Sequence, residues 1–148
     1  MRKKYIYTLA FMLSALFVVT SCKQGQSEEV EKSKKDIYIQ LYSVRDDIKA
    51  DYEGTIATVA EIGYTGVEAA GYNDGKFYGM SPEDFKKSIE DAGMEVLSSH
   101  ATFPLAENPS ETDWEAVWAW WDTAIQAHKD AGMKYIVVPW MPTPTTLA

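Results

Sequence analysis

Cysteine is nearly absent from this sequence, because Cys22 is the only one among 148 residues. A disulfide within the chain is therefore excluded, and the folded domain must draw its stability from a packed core. Basic residues are also few beyond residue 35, where 7 Lys and Arg stand against 19 Asp and Glu, a net charge of −12. Nucleic-acid binding needs a basic surface, so this balance argues against a nucleic-acid partner.

The one long apolar run lies near the N-terminus, over residues 5–19. Basic residues at positions 2–4 precede it, and small residues lead up to Cys22. This pattern is similar to a bacterial lipoprotein signal, so we predict a signal peptide over 1–21, a lipid on Cys22 and a polar tether over 22–35. An uncleaved anchor is the alternative, but the run is short for a span of ~20 residues. The prediction puts the protein outside the cytoplasm, lipid-anchored to a bacterial membrane and facing the periplasm.

Three helix-to-strand joints share one local pattern. Gly63, Gly93 and Gly132 each follow a helical segment and precede a run rich in Val, Ile or Leu. Glycine takes the left-handed conformation that ends a helix at little cost. Three joints of one type predict repeated βα units and a parallel sheet.

The predicted elements alternate along one domain over residues 36–148. Strands are expected at 37–42, 66–70, 95–100 and 134–139, and the segments 43–50, 71–80 and 101–111 are expected to be loops. Helices are expected to begin near Asp51, after Ser81 and at a capping box formed by Thr112 and Glu115. The predicted order of secondary-structure elements is therefore β-α-β-α-β-α-β.

Polar side chains distinguish between the two architectures that use this order, an open doubly wound sheet and a closed (β/α)8 barrel. No Gly-rich phosphate turn follows the first strand, which argues against the open nucleotide-binding sheet. Alternation places Gln40, Glu68, Ser98 and His100 on one face, which suits a barrel interior that opens into a site at the strand ends. A barrel takes about 250 residues, so we predict the N-terminal half of a TIM barrel, truncated after strand four.

Four motifs carry a resemblance to a known family. They are residues 39–43 (Ile-Gln-Leu-Tyr-Ser), 62–68 (Ile-Gly-Tyr-Thr-Gly-Val-Glu), 92–96 (Ala-Gly-Met-Glu-Val) and 131–136 (Ala-Gly-Met-Lys-Tyr-Ile). In this order the sequence resembles the xylose isomerase-like TIM barrels, a family of sugar and sugar-phosphate isomerases and epimerases. The resemblance implies a divalent metal (Mn²⁺, Mg²⁺, Co²⁺ or Zn²⁺) that polarises sugar oxygens while a proton moves between adjacent carbons. Metal ligands in such enzymes come mostly from strands five to eight, so no metal ligand is assigned here.

Two side chains are the candidate catalytic residues. Glu68 lies on the interior face of strand two, where it would accept hydrogen bonds from sugar hydroxyls, or else form a structural ion pair. His100 ends strand three on the same face, where it would bind a sugar hydroxyl, move a proton or bind metal. Each of these two residues could instead have only a structural role.

Aromatic residues beside the strand ends are candidates for the wall of a sugar pocket, because the C–H faces of sugars stack on rings. They are Tyr42, Tyr72, Phe103 and Trp140, and ordinary loop packing is the alternative for each. Gln40 is expected to join a buried structural network. Helical spacing predicts that Trp114, Trp118 and Trp121 pack in the core, and His128 is expected to be structural.

The sequence thus predicts metal-dependent isomerisation or epimerisation of a sugar, with an unphosphorylated substrate favoured by the export signal. A non-catalytic sugar-binding lipoprotein, or a sugar lyase or dehydratase on the same barrel, is the alternative. Half a barrel would also leave an open sheet edge and an uncovered interior, so the chain by itself is expected to be inactive.

Overall fold

A four-stranded parallel sheet forms the centre of the computed structural model, which describes residues 35–141. Its strands, in spatial order, are β1 (Tyr38–Gln40), β2 (Gly66–Ala69), β5 (Glu95–His100) and β6 (Tyr135–Val137), and a hairpin of β3 (Tyr72–Asn73) and β4 (Lys76–Phe77) stands apart. Each strand of the sheet pairs with the next in parallel, so consecutive βα units lie side by side as in the wall of a barrel. The predicted signal peptide, Cys22 and nearly all of the tether lie outside the described residues.

Within residues 35–141, four α-helices pack on one side of this sheet: α1 (Arg45–Ala50), α2 (Tyr52–Ile62), α3 (Pro82–Asp91) and α4 (Trp114–Asp130). The first strand is shorter than predicted, because the chain turns into a 3-10 helix after Gln40. The prediction of a loop over 43–50 was wrong, since most of that segment is α1. Two acidic residues in the first turn of α1 interact favourably with the helix dipole, and the buried side chain of Ile48 holds α1 against the core.

Side-chain caps start the longer helices at or next to the predicted positions. Asp51 accepts a hydrogen bond from the Gly54 amide at 3.0 Å, and Ser81 accepts one from the Asp84 amide at 3.1 Å. The predicted capping box was wrong by one residue, because Asp113, not Thr112, accepts from the backbone at the start of α4. Aspartate is at least as good an N-cap as threonine.

The three predicted glycine stops are confirmed. Gly63, Gly93 and Gly132 have φ angles of +109°, +79° and +72°, a region that side chains with a Cβ rarely enter. The segment 71–80, in contrast, is not the loop that we predicted. Asp74 and Gly75 both have positive φ and turn the chain between β3 and β4, as an Asp-Gly pair does in tight hairpins.

The hydrophobic core lies between the sheet and its helices. Val67 and Ala69 of β2 are fully buried there, together with Phe77 from the hairpin and Phe85 and Ile89 from α3. The rings of Phe77 and Phe85 stack with centroids 5.3 Å apart. The hairpin therefore closes the core on the helix side of the sheet.

Helix α4 carries two apolar stripes, and the prediction that its tryptophans pack in the core was wrong for Trp114 and Trp118. Its buried residues are Val117, Ala124, Ala127 and His128, whereas Trp114 and Trp118 are 47% and 62% exposed. The exposed tryptophans line a groove of about 120 Å³ together with Phe103, Trp121, Val138 and others. Helical spacing identifies an apolar stripe but not the partner that covers it, which is why the prediction failed.

Both edges of the sheet are open within the part of the chain that the structure describes. The groove beside Trp118 borders the β6 edge, and a hollow of about 700 Å³ borders the β1 edge, lined by Ile39, Gly54, Thr58, Tyr64 and their neighbours. Over residues 35–141, none of the helices combines the length and the hydropathy needed to cross a bilayer.

Candidate active site

A register shift between β2 and β5 sets the geometry of the site. Val67 pairs with Val96, but the next residue, Glu68, pairs with Ser98, so that Leu97 has no counterpart. Such a bulge changes which side a side chain faces. Val96 therefore joins Val67 in the helix-side core, although strict alternation along β5 would place it on the same face as Ser98 and His100.

Glu68 is held by its neighbours on both adjacent strands. Its Oε1 atom accepts a hydrogen bond from Gln40 Nε2 at 2.7 Å, and its Oε2 atom accepts one from Ser98 Oγ at 2.7 Å. Both donors are the register partners of Glu68, on β1 and β5 respectively. The carboxylate is thus fixed from two sides on the face opposite the helices.

His100 joins the same group at the carboxyl end of β5. Its Nε2 atom lies 3.1 Å from Glu68 Oε1 and 2.9 Å from Gln40 Nε2. The side chains of His100 and Glu68 keep 18% and 20% of their surface exposed, so the pair is accessible from the open side. The expectation that these two residues would share one face is confirmed.

The surroundings of Glu68 act on its pKa in opposite directions. Burial is the largest influence and favours the neutral acid, but the hydrogen bonds from Gln40 and Ser98 and the neighbouring His100 together outweigh it. The pKa of Glu68 is therefore lowered from its ordinary value of 4.5, and the side chain is a carboxylate at neutral pH.

The part that Gln40 and Ser98 play in the site was underestimated in the sequence-based prediction. Gln40 was expected to be buried, but it is exposed on the open side of the sheet, although it does join a polar network. Ser98 is 1% exposed and was assigned no role. The sequence signal that could have indicated this network is the presence of polar residues at matching positions of three adjacent strands.

Two of the four aromatic candidates lie at the surface, away from the helix-side core. Tyr42 is 54% exposed, and the guanidinium of Arg45 lies 4.7 Å from its ring centroid. Trp140 follows β6 and is 65% exposed. Their role in binding a sugar stays a prediction.

The other two aromatic candidates take part in packing. Tyr72 packs against Phe77, Trp120 and His128, with ring centroids 5.1 to 5.6 Å apart, and its hydroxyl accepts from the Gly75 amide. Phe103 meets the ring of Trp120 edge-on at 5.6 Å. These contacts bring Tyr72 and Phe103 into one aromatic cluster around Trp120.

The sequence of this domain matches a known family model. Residues 56–146, more than half of the chain, match the model described as xylose isomerase-like TIM barrel. The chain belongs to the xylose isomerase-like TIM barrel family. This is a family of sugar phosphate isomerases and epimerases, and the parallel sheet described above is part of such a barrel.

Two solved structures of sugar phosphate isomerase/epimerases from Parabacteroides distasonis ATCC 8503 are similar to this chain. One has 28% sequence identity and a TM-score of 0.67 over 77% of this chain, and the other has 32% identity and a TM-score of 0.64 over 76%. This chain spans only 42% and 44% of their lengths, respectively. A comparison with curated proteins found no match.

Members of the xylose isomerase-like family commonly depend on a metal, and the site residues can be tested for a fit to one. Over residues 35–141, no three His, Cys, Asp or Glu side chains are grouped so as to hold a metal ion. Both oxygens of Glu68 and the Nε2 atom of His100 are also engaged with one another and with Gln40 and Ser98. As they are placed, these residues do not fit a metal by themselves.

Proposed function

We propose that this chain supplies one wall of the sugar pocket of an isomerase or epimerase. The observation that supports the proposal is the network of Gln40, Glu68, Ser98 and His100 on the open face of three parallel strands. In barrel enzymes the site lies at the carboxyl ends of the strands, which is where His100 stands.

The chemistry of the network suits a polyhydroxylated ligand. Glu68 is an ionised acceptor held in place by two neighbours, so it can receive a hydrogen bond from a sugar hydroxyl without reorganisation. His100 lies beside Glu68 and can form a hydrogen bond with a neighbouring sugar oxygen through its imidazole ring. The divalent metal expected of the family would then be held by residues of a complete barrel outside this network.

The substrate is proposed to be an unphosphorylated sugar. No Lys or Arg belongs to the network of Glu68 and His100, and the domain over residues 36–148 has a net charge of −12. A phosphate group is recognised by Arg, by Lys or by several backbone amides, and it is repelled by carboxylates. The predicted export signal supports the same choice.

Lipid anchoring through Cys22 belongs to the same proposal. Its test is metabolic labelling of a bacterial host with a tagged fatty acid, using the whole chain and a Cys22→Ala variant. The whole chain should carry the fatty-acid label and be found in the membrane fraction, and the variant should lose the label. A labelled Cys22→Ala variant, or an unlabelled whole chain, would contradict the anchor.

The function is tested by assaying the chain, and any longer product of its gene, against aldoses, ketoses and their phosphates with Mn²⁺, Mg²⁺, Co²⁺ or Zn²⁺. Aldose–ketose interconversion or formation of an epimer is the expected result. His100→Ala and Glu68→Gln should each lower turnover at least about tenfold, equivalent to roughly 1.4 kcal/mol in the barrier.

Glu53→Gln is the matched control, because Glu53 is an exposed residue in the first turn of α2 and should leave turnover unchanged. If both site variants keep full turnover, the network is structural and the proposal is wrong. Binding of sugar without turnover would identify a non-catalytic binder, and loss of water from the sugar would identify a dehydratase.

A further inference from the structure

Gly66, the first residue of β2, is buried although it lies on the open side of the sheet. It alternates with Val67 and Ala69, which belong to the helix-side core, so it faces the same way as Glu68. A residue without a side chain cannot cover itself on that face. Another group must therefore lie over Gly66 at the amino end of the strand.

The ring of Tyr38 lies over Gly66. The two residues are register partners on β1 and β2. A Cβ atom at position 66 would be 2.4 Å from Cε1 and 2.6 Å from Cδ1 of the Tyr38 ring, and 2.7 Å from the carbonyl oxygen of Glu95. Carbon atoms in contact stay about 3.5–4.0 Å apart, so no side chain fits at position 66. Glycine is what allows the ring to lie across β2.

The hydroxyl of Tyr38 reaches the strand beyond Gly66. It donates a hydrogen bond to the carboxylate of Glu95, which is the register partner of Gly66 on β5. This hydrogen bond is the main reason that the pKa of Tyr38 is raised to about 12, so the hydroxyl remains a donor at neutral pH. Tyr38 therefore spans from β1 across β2 to β5.

The open side remains accessible nearer the carboxyl ends of the strands. Glu68 lies two residues beyond Gly66, which is about 7 Å along the strand. The side chains of Glu68 and His100 keep 20% and 18% of their surface exposed, and Gln40 is exposed. The open side thus has a covered amino end and an accessible carboxyl end.

We propose that Tyr38 is a positioning residue that forms the floor of the sugar pocket. With its ring across Gly66, a sugar that contacts Glu68 and His100 from the carboxyl ends cannot sink further towards the amino ends. The floor therefore fixes the depth at which the sugar binds. This role rests on the proposed function, and it involves no proton transfer or covalent step.

The covering of Gly66 can be measured without a substrate. NMR of the whole chain in the presence of a soluble gadolinium chelate reports how closely this paramagnetic probe approaches each Hα proton. Gly79 is the exposed reference, and Ala69, buried in the helix-side core, is the protected one. In the wild type, the relaxation enhancement at Gly66 should match that of Ala69 and stay well below that of Gly79.

Two variants of Tyr38 separate the ring from the hydroxyl. Tyr38→Ala removes the ring, so the relaxation enhancement at Gly66 should rise towards that of Gly79. Tyr38→Phe is the matched control, because it keeps the ring that covers Gly66. An accessible Gly66 in the wild type, or a Gly66 that stays protected in Tyr38→Ala, would overturn the inference.

Ala69 reports whether Tyr38→Ala keeps the fold. If Ala69 also became accessible in this variant, the sheet would have opened, and the wild type would decide by itself. Nuclear Overhauser effects between the Tyr38 ring protons and the Gly66 Hα protons are then the expected result, and their absence would overturn the inference.

Kinetics separates this inference from the proposed function. Tyr38→Ala should lower kcat and KM together by about threefold and leave kcat/KM unchanged, because a sugar that sinks below Glu68 binds without reacting. Tyr38→Phe should keep both values. A fall in kcat/KM in Tyr38→Ala would make the residue merely structural and would overturn the inference alone. A protected Gly66 with full turnover in His100→Ala and Glu68→Gln would overturn the proposed function and leave only the covered amino end.

Discussion

The two histidines of this chain occupy opposite environments. His128 is 2% exposed in the helix-side core, with its ring 5.1 Å from the rings of both Tyr72 and Phe77. Its Nε2 atom makes no hydrogen bond within residues 35–141. His100 stands on the other face of the sheet, among polar partners and in contact with solvent. The helix side therefore carries stability, and the open side carries the groups suited to a ligand.

The difference also appears in the charge that each site tolerates. Burial is the main reason that the pKa of His128 is lowered, and it outweighs the hydrogen bond to the Ala124 carbonyl. On the open side, the hydrogen bonds to Glu68 and the neighbouring His100 together outweigh burial, and the ionised form is favoured. One side excludes charge and the other stabilises it, which is a difference that substitutions can test.

The largest effect is expected in the helix-side core. Phe85→Ala removes a fully buried ring that packs against Phe77 and Tyr78, and it should lower the free energy of unfolding by about 3–5 kcal/mol. Gln40→Ala, on the open side, should cost less than about 1.5 kcal/mol because the residue is exposed. Denaturant unfolding followed by circular dichroism measures both changes, and equal losses would remove the distinction between the two sides.

A second and smaller effect concerns pH and His128. Its pKa in the folded state lies below the ordinary value of 6.5, so the unfolded chain binds this proton more readily between the two pKa values. The free energy of unfolding should be fully retained above about pH 6.5 and should fall as the pH drops below it. Unfolding measured across this range should lose that slope in His128→Phe, and a variant that keeps the slope would contradict the assignment.

The same experiment at lower pH tests the open side. The pKa of Glu68 is lowered from 4.5, so its contribution is present above about pH 4.5 and is lost as the pH falls through the folded-state value. Glu68→Gln should remove this more acidic part of the slope and leave the part due to His128. If one variant removed both parts, the two sites would be coupled and the comparison between them would fail.

Much of the fold could be predicted from local signals. The left-handed glycines at 63, 93 and 132 and the caps at Asp51 and Ser81 depend only on neighbouring residues, so the sequence shows them directly. The parallel sheet followed from the repetition of these joints. The meeting of Glu68 and His100 followed from alternation along two strands.

The errors arose where long-range contacts decide the structure. No local sequence pattern indicates the bulge at Leu97, because the bulge depends on the register between β2 and β5. The burial of one stripe of α4 rather than the other depends on which neighbours are present, so Trp118 was assigned to the core. The role of Gln40 requires distances to Glu68 and His100, which spacing cannot give.

The smallest effect on stability is expected at the exposed tryptophan stripe of α4. Trp118 is 62% exposed, so Trp118→Ser should change the free energy of unfolding by no more than about 0.5 kcal/mol. The same change should reduce binding of an apolar fluorescent dye, because Trp118 lines the groove beside β6 together with Phe103 and Val138.

Trp120 is the matched control on the same helix. Its ring packs against those of Tyr72, Phe103 and Trp121, with centroids 4.9 to 5.6 Å apart, and aromatic pairs contribute about 0.5–1.5 kcal/mol each. Trp120→Ser should therefore lower stability clearly, whereas Trp118→Ser should mainly lower dye binding. If Trp118→Ser proved as destabilising as Trp120→Ser, the stripe would be covered in solution, and the groove beside β6 would not be an open surface of this chain.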